Sequence, residues 1–164
     1  MLRLTIIPLF LFFCITSYAQ RFTLDELKQL CLRDNDFFDT YVLSKGYHFS
    51  FSAKNNLHYS YKDDKFFNEI NLLYSKSQKD TSKMERVISW IFKSDTTYLA
   101  FKRELSINGY LSYYDYADSN EEGDAHHFFY SNREYDSSRE YHIELVTLKP
   151  KIYKIPVYYV HFNK

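Results

Sequence analysis

The sequence predicts an α+β protein in which helices precede runs of antiparallel strands. Apolar residues recur at helical spacing near residues 23–46 and 94–108, and a glycine ends each stretch. Most of the remaining chain alternates apolar and polar residues, which is the period of a half-buried strand. The composition agrees, because 17 Tyr and 15 Phe against 3 Gly and 3 Pro favour regular strands joined by short turns.

The first helical stretch begins at a capping box, in which the Thr23 hydroxyl accepts from the Glu26 amide while the Glu26 carboxylate reaches back. Asp34 or Asp36 is expected to cap a second short helix, which Gly46 ends. The two helices together carry an apolar face at helical spacing, formed by Leu24, Leu27, Leu30, Cys31, Phe38, Tyr41 and Val42.

Four strands are predicted to follow Gly46. In the first, one face is expected to hold Tyr47, Phe49, Phe51 and Ala53, and the other His48, Ser50 and Ser52. The other three are expected near residues 57–61, 68–74 and 87–92, with polar turns between them. The last is rich in β-branched residues, although its apolar run is also compatible with a helical turn.

A third helix is predicted to begin at a Ser94 or Asp95 cap and to end at Gly109. Four strands then follow near residues 110–116, 125–130, 141–148 and 152–162. An acidic hairpin loop, residues 118–124, is expected to join the first two of them. We expect the helices to pack on the sheet through six buried side chains: Leu27, Cys31, Phe38, Val42, Phe101 and Leu105.

The two halves of the mature chain, residues 20–93 and 94–164, resemble each other. Aligning Gly46 with Gly109 also pairs Tyr47 with Tyr110, Phe38 with Phe101, and Val42 with Leu105; farther on, after an insertion, Ile70 and Leu72 pair with Ile143 and Leu145. The match predicts two similar helix-then-strand units that build a largely antiparallel sheet with the helices on one face. The alternative is that the halves are two similar α+β units without a common origin, which could show the same weak internal similarity.

The first 19 residues predict a cleaved signal peptide. Arg3 provides a positive start, residues 4–15 are almost wholly apolar, and residues 17–19 (Ser-Tyr-Ala) have the pattern of a cleavage site before Gln20. The alternative is lipidation of Cys14, which the bulky residue before it disfavours. We therefore expect an exported protein, periplasmic or extracellular, with no transmembrane segment in the mature chain, since a spanning helix needs roughly 18 or more apolar residues.

Composition limits what the mature chain can do. Basic and acidic residues number 21 each over the whole sequence, which argues against nucleic-acid binding because that function needs a basic surface. Cys31 is the only cysteine after the signal peptide, so an intramolecular disulfide is excluded and the apolar core must stabilise the fold.

The opening helix TLDELKQL and the segment FFDTYVLSKGYHF resemble small exported proteins of unknown function from Gram-negative bacteria. This likeness covers mainly residues 20–51. In outline, the tandem helix-plus-sheet arrangement is also similar to the architecture of beta-lactamase-inhibitor-protein-like folds, in which two units build one concave sheet. That second likeness is topological and carries no motif. The resemblance implies a binding module and supplies no catalytic residue.

No motif typical of catalysis or of phosphate binding is found, so the chain is predicted not to be an enzyme and to need no cofactor. The weak metal candidates are His126 and His127, which follow Glu121, Glu122 and Asp124. Adjacent residues of a strand point to opposite faces, so the two imidazoles do not readily share an ion. We predict no metal site.

Export and aromatic surplus together favour a non-catalytic binding module, whose partner is a protein, a peptide or a glycan. We expect a solvent-facing ligand surface formed by Tyr113, Tyr114, Tyr116, Tyr158 and Tyr159. The acidic loop 118–124 is an additional candidate contact for a basic partner. A hydrolase-like exported enzyme whose site lacks a recognisable motif and a structural component of an envelope assembly are the alternatives.

Overall fold

The computed structural model describes residues 21–54, 56–61, 68–76, 84–119, 121–132, 141–151 and 155–163. The predicted signal peptide, Gln20 and residues 152–154 lie outside the described residues. The helices are α1 (Leu24–Leu32), α2 (Asn35–Ser44) and α3 (Asp95–Ile107). The strands are β1 (His48–Ala53), β2 (Asn56–Ser60), β3 (Asn68–Lys76), β4 (Met84–Phe92), β5 (Leu111–Ser119), β6 (Gly123–Ser131), β7 (His142–Pro150) and β8 (Val157–Asn163). The predicted α+β class is confirmed.

The eight strands form one antiparallel sheet in the order β1-β2-β3-β4-β8-β7-β6-β5. Strands β1–β4 and β5–β8 each form a four-stranded meander of sequential neighbours. The last strands of the two meanders, β4 and β8, pair with each other at the centre of the sheet. Strands β1 and β5 therefore form the two edges.

Each helix begins at a side-chain cap that the sequence predicts. The Glu26 amide donates to Thr23 Oγ1 at 3.3 Å, and the Thr23 amide donates to Glu26 Oε2 at 2.7 Å, which completes the capping box. Asp34 caps α2 and Ser94 caps α3, which settles the two alternatives. Within the described part of the chain, no helix is both long and apolar enough to cross a membrane.

Helices α2 and α3 end in the same way. Gly46 and Gly109 have φ values of +85° and +75°, a left-handed conformation that glycine adopts without strain. The amide that follows each glycine donates back into the helix, from Tyr47 to the Val42 carbonyl and from Tyr110 to the Leu105 carbonyl. These equivalent turns start β1 and β5 at equivalent places.

The buried core contains all six side chains that helical periodicity predicts to be buried: Leu27, Cys31, Phe38, Val42, Phe101 and Leu105. They share one apolar cluster with strand residues from both meanders, including Ile70, Trp90, Leu145 and Phe162. Because the cluster includes residues of both halves, one continuous core connects the helices to strands β2, β3, β4, β6, β7 and β8.

Irregular pairing changes the predicted faces of both edge strands. The register shifts between Phe49 and Phe51 in β1, and between Ser112 and Tyr114 in β5. A β-bulge inserts one unpaired residue, so side chains beyond it change face. The prediction that Phe51 shares a face with Tyr47 and Phe49 is therefore wrong: Phe49 lies beside the buried Tyr59, whereas Phe51 lies beyond the bulge and stacks on His58.

Two further segments test the predictions. The strand predicted near residues 87–92 is confirmed and begins at Met84; the alternative of a helical turn is excluded, because residues 84–92 pair along their length with β3 and partly with β8. The acidic segment 118–124 is not wholly a loop, since β5 continues to Ser119 and β6 begins at Gly123. A Cβ on Gly123 would lie 2.2 Å from the Lys149 carbonyl oxygen, so only glycine permits this close pairing.

Candidate binding surface

In the five strands β4, β8, β7, β6 and β5, successive side chains point to opposite faces of the sheet. One set, with Trp90, Leu145 and Val160, belongs to the cluster that contains the buried helical residues. The intervening side chains point away from that cluster, as alternation in a strand requires. We call this set the second face; it includes Ser89, Tyr114, Tyr116, His127, Phe129, Glu144, Val146, Tyr159 and His161.

An aromatic group occupies the β5 side of the second face. Three tyrosines surround Phe129, with ring centroids 6.5 Å from it for Tyr113, 5.6 Å for Tyr114 and 6.0 Å for Tyr116. Their exposed fractions are 50%, 55% and 37%. We call these four residues the aromatic platform. Their rings are available for stacking on a ligand while Phe129 supports them from β6.

The bulge in β5 builds this platform. Regular alternation would place Tyr113 on the opposite face from Tyr114 and Tyr116. The shift between Ser112 and Tyr114 instead leaves Tyr113 near Phe129, next to the other two tyrosines. Three neighbouring tyrosines consequently contact one phenylalanine.

A polar row adjoins the platform. The His127 ring lies parallel to the Tyr116 ring, with 4.4 Å between centroids and 5° between planes. His127 Nδ1 and Glu144 Oε1 are 2.7 Å apart and share a hydrogen bond. His127 Nε2 has no hydrogen-bond partner among the described residues and lies 3.6 Å from the Asp118 carboxylate. The imidazole is thus held between two carboxylates and one ring.

His161 continues the row on β8, where it is the cross-strand neighbour of Glu144. Burial lowers the pKa of His161, and the charge of His127 acts in the same direction, while the Glu144 carboxylate opposes both. Desolvation raises the pKa of the Tyr116 hydroxyl, and the negative charges of Glu144 and Asp118 raise it further. Two carboxylates, those of Glu144 and Asp118, therefore act on the Tyr116 end of the platform.

A cavity of about 540 Å³ opens between the platform and the polar row. Tyr113 and Phe129 supply its aromatic wall, and Glu144 and His161 supply polar groups. This combination of apolar rings and a few polar side chains is typical of a ligand site. A second cavity of about 610 Å³ lies at the other end of the β5–β6 hairpin, beside Tyr98 and Phe128.

The five tyrosines of the predicted surface have different environments. Tyr113, Tyr114 and Tyr116 are exposed and lie together. Tyr159 is half-buried and packs against a small apolar cluster that includes Val146 and Val157.

The prediction that Tyr158 faces solvent is wrong. Only 6% of Tyr158 is exposed, its ring stacks on Tyr98 of α3 at 4.4 Å, and its hydroxyl donates to Asp95 at 2.9 Å. Burial and this hydrogen bond raise its pKa to about 12. Tyr158 shares its row on β8 with Val160 and Phe162, and this row packs with the helices.

The weak metal candidates, His126 and His127, have separate environments. His126 Nε2 lies 2.8 Å from the Asp115 carboxylate, and its ring stacks on Phe128 at 4.2 Å. His127 instead contacts Glu144 on the second face. Within the described ranges, no group of three or more His, Cys, Asp or Glu side chains has a geometry that could hold a metal ion.

One row contains the residue types of a hydrolase triad. Ser89, His161 and Glu144 are successive cross-strand neighbours on β4, β8 and β7. In the described part of the chain, however, no hydrogen bond joins Ser89 to His161, and Ser89 is 3% exposed. The Glu144 carboxylate bonds to His127. The contact between nucleophile and base that such a mechanism needs is not formed here.

Sequence reasoning missed Phe129, Glu144 and His161, because register brings them to the tyrosines from three other strands. The available signal was the period-2 row Ala125, His127 and Phe129 in β6, which places an imidazole and a ring on one face. Comparison with protein-family models, curated proteins and solved structures gives no match for this chain.

Proposed function

We propose that this protein is an exported, non-catalytic binding module that holds its ligand on the aromatic platform. The observation that carries the proposal is the convergence of three exposed tyrosines on Phe129, beside a cavity with polar walls. Exposed aromatic rings gain favourable contact area when a partner covers them, and they lose little side-chain entropy in doing so. The exposed Phe49 and Phe51 of β1 contact different rings, Tyr59 and His58, whereas the three tyrosines meet at one phenylalanine beside a cavity.

We further propose that the protein is a tandem duplication with all helices on one face of the sheet. The two glycine turns, the two β-bulges and the two four-stranded meanders support this proposal, because each feature recurs at the equivalent place in both halves. The buried pairs Phe38/Phe101 and Val42/Leu105 agree with it. In this arrangement the second face is left for a ligand.

Affinity capture tests the binding function. The mature protein, immobilised and exposed to an extract of its native envelope and medium, is expected to retain a partner, and Tyr113→Ser with Tyr114→Ser is expected to abolish retention. Both tyrosines are at least half exposed, so the melting temperature is expected to be nearly unchanged. Phe49→Ser with Phe51→Ser is the matched control, since these exposed rings lie on the other edge strand.

The outcome separates the alternatives. The platform proposal would be contradicted if the tyrosine variant still retained the partner. It would also be contradicted if the parent protein retained no partner. Hydrolysis of an ester or amide substrate that Ser89→Ala abolishes would instead favour the hydrolase-like alternative. A stable homo-oligomer that buries the platform would favour the envelope-assembly alternative.

A further inference from the structure

The β5 strand is an edge strand whose exposed side chains include three tyrosines and two aspartates. All 9 of its residues are exposed, it pairs with β6 on one side, and no described strand pairs with its other side. An edge of this kind offers unpaired backbone N–H and C=O groups to another extended chain. Natural edge strands are often protected by charged residues, proline or a β-bulge. Strand β5 contains no lysine or proline, and its bulge lies before Tyr114, so residues 114–119 form a regular edge that carries two aspartates.

The order of side chains along β5 indicates which kind of partner strand would fit beside it. Beyond the bulge, Tyr114, Tyr116 and Asp118 follow one another on the second face, and Asp115 lies on the other face. An added strand would place every second side chain beside this row. Two rings followed by a carboxylate favour a cationic side chain on the partner. The faces of the tyrosine rings attract the cation, and so does the carboxylate.

Charge along the hairpin favours the same kind of partner. Basic and acidic residues are equal in number over the whole chain, but residues 111–131 contain no Lys or Arg. The acidic residues of this segment are Asp115, Asp118, Glu121, Glu122 and Asp124. Lys149 faces Asp124 across the β6–β7 pairing, near the tip of the hairpin and away from Tyr114. Glu144 adds a further negative charge behind the platform.

A second copy of the chain fits this edge less well. Antiparallel pairing of β5 with β5 of another molecule would bring two sets of Asp115 and Asp118 close together. Like charges on paired strands destabilise the pairing. A basic extended segment relieves this repulsion and makes the same backbone hydrogen bonds.

We propose that β5 binds an extended basic peptide segment as a ninth strand of the sheet, with its Arg or Lys side chains stacked on the aromatic platform and directed toward Asp118. This inference rests on the proposed function and names the ligand class for that surface. Binding of this kind takes affinity from backbone hydrogen bonds and specificity from alternate side chains.

The other edge provides an internal control. Strand β1 has its bulge at the equivalent place and two exposed rings, Phe49 and Phe51. Residues 48–61 contain Lys54 and no acidic residue. The β1 edge therefore has exposed rings without the negative charge, so it is not expected to bind a basic segment.

Fluorescence anisotropy with defined peptides tests the inference on the intact mature protein. The probe is a labelled peptide as long as β5, 9 residues, in which Arg and Val alternate. Two peptides of equal length serve as controls, one with Glu in place of Arg and one N-methylated on every backbone nitrogen, which removes the pairing donors in either register. The Arg–Val peptide is expected to bind, with an affinity that falls as salt is added, and both controls are expected to bind weakly.

Protein variants assign the contacts. We expect Tyr113→Ser with Tyr114→Ser, and separately Asp115→Asn with Asp118→Asn, to weaken binding of the Arg–Val peptide by about tenfold or more. Phe49→Ser with Phe51→Ser is expected to leave the affinity unchanged, and circular dichroism checks that each variant is folded.

Several results would overturn the inference. These are equal binding of the Arg and Glu peptides, equal binding of the N-methylated peptide, no effect of the aspartate changes, or a dimer that pairs through β5 and takes up no peptide. Each leaves the proposed function standing if the envelope capture experiment still depends on the tyrosines. If that capture fails, the proposed function fails independently of the peptide result.

Discussion

Asn68 is buried among aromatic rings, and its side-chain oxygen accepts two hydrogen bonds. The Tyr47 hydroxyl donates to Asn68 Oδ1 at 2.6 Å, and Trp90 Nε1 donates to the same atom at 2.8 Å. Both aromatic side chains are almost wholly buried, so their donors would otherwise be unpaired at a considerable free-energy cost. One polar residue at the start of β3 therefore allows two large rings with polar atoms to enter the core.

His161 gives the protein a predictable response to acid. Burial lowers its pKa from the ordinary value of 6.5, so folding favours the neutral imidazole. The unfolded chain binds a proton as the pH falls through about 6.5, whereas the folded chain does not do so until lower pH. The free energy of unfolding is therefore expected to decrease as the pH falls from about 6.5 to the lowered pKa.

Urea denaturation measured across this pH range checks the assignment. His161→Gln is expected to lose less stability on acidification than the parent protein, because glutamine does not titrate. His142→Gln, an exposed change on the neighbouring strand, is the control and is expected to keep the parent's pH dependence. Identical pH profiles for His161→Gln and the parent would contradict the role of His161.

At the scale of elements, local sequence signals predict the helices well. Capping by Thr23, Asp34 and Ser94 and termination at the two glycines depend on residues close in sequence, so one sequence is enough to find them. The two β-bulges were not predicted. Neither the Phe49–Phe51 segment nor the Ser112–Tyr114 segment has a glycine or another local signal of a bulge, because pairing with the next strand creates it.

Equivalent positions in α2 and α3 are expected to contribute equally to stability. Phe38 and Phe101 are both fully buried and make edge-to-face contacts, with Tyr59 at 5.6 Å and Trp90 at 6.0 Å. Phe38→Ala and Phe101→Ala are each expected to reduce the free energy of unfolding by about 3–5 kcal/mol, through lost burial and the cavity left behind. Chemical denaturation measures the change.

Leu99→Ala is the control for these variants, since Leu99 lies on α3 with 63% of its surface exposed. A change below about 0.5 kcal/mol is expected for it, as for most surface substitutions. If either phenylalanine variant behaved like this control, that residue could not be a core residue of its unit.

At the scale of the whole molecule, the candidate surface was only partly predictable. Alternation and the aromatic surplus predict exposed tyrosines on β5, and Tyr113, Tyr114 and Tyr116 are exposed. The burial of Tyr158 depends on α3, which is more than fifty residues away in sequence. Tyr98 of that helix stacks on the Tyr158 ring. The polar row of His127, Glu144 and His161 is assembled across β6, β7 and β8 by strand register, which no local pattern encodes.

The contacts between the two halves predict that neither folds alone. Trp90 of the first half packs on Phe101 of the second, the Leu24 amide donates to Glu104 at 2.8 Å, and β4 pairs with β8. A half alone would expose this shared core and an unpaired central strand, and the loss of buried apolar surface would exceed the small net stability of a domain.

We therefore expect separately produced fragments 20–93 and 94–164 to be largely unfolded, and to regain the spectrum of the intact protein when they are mixed. Near-ultraviolet circular dichroism measures this directly, because Trp90 and its aromatic neighbours lie at the junction. Trp90→Ala in the first fragment is expected to prevent reassembly, whereas Met84→Ala, an exposed change at the start of β4, is expected to permit it. Independent cooperative unfolding of either fragment would show instead that the halves are separate domains that merely pair at their last strands.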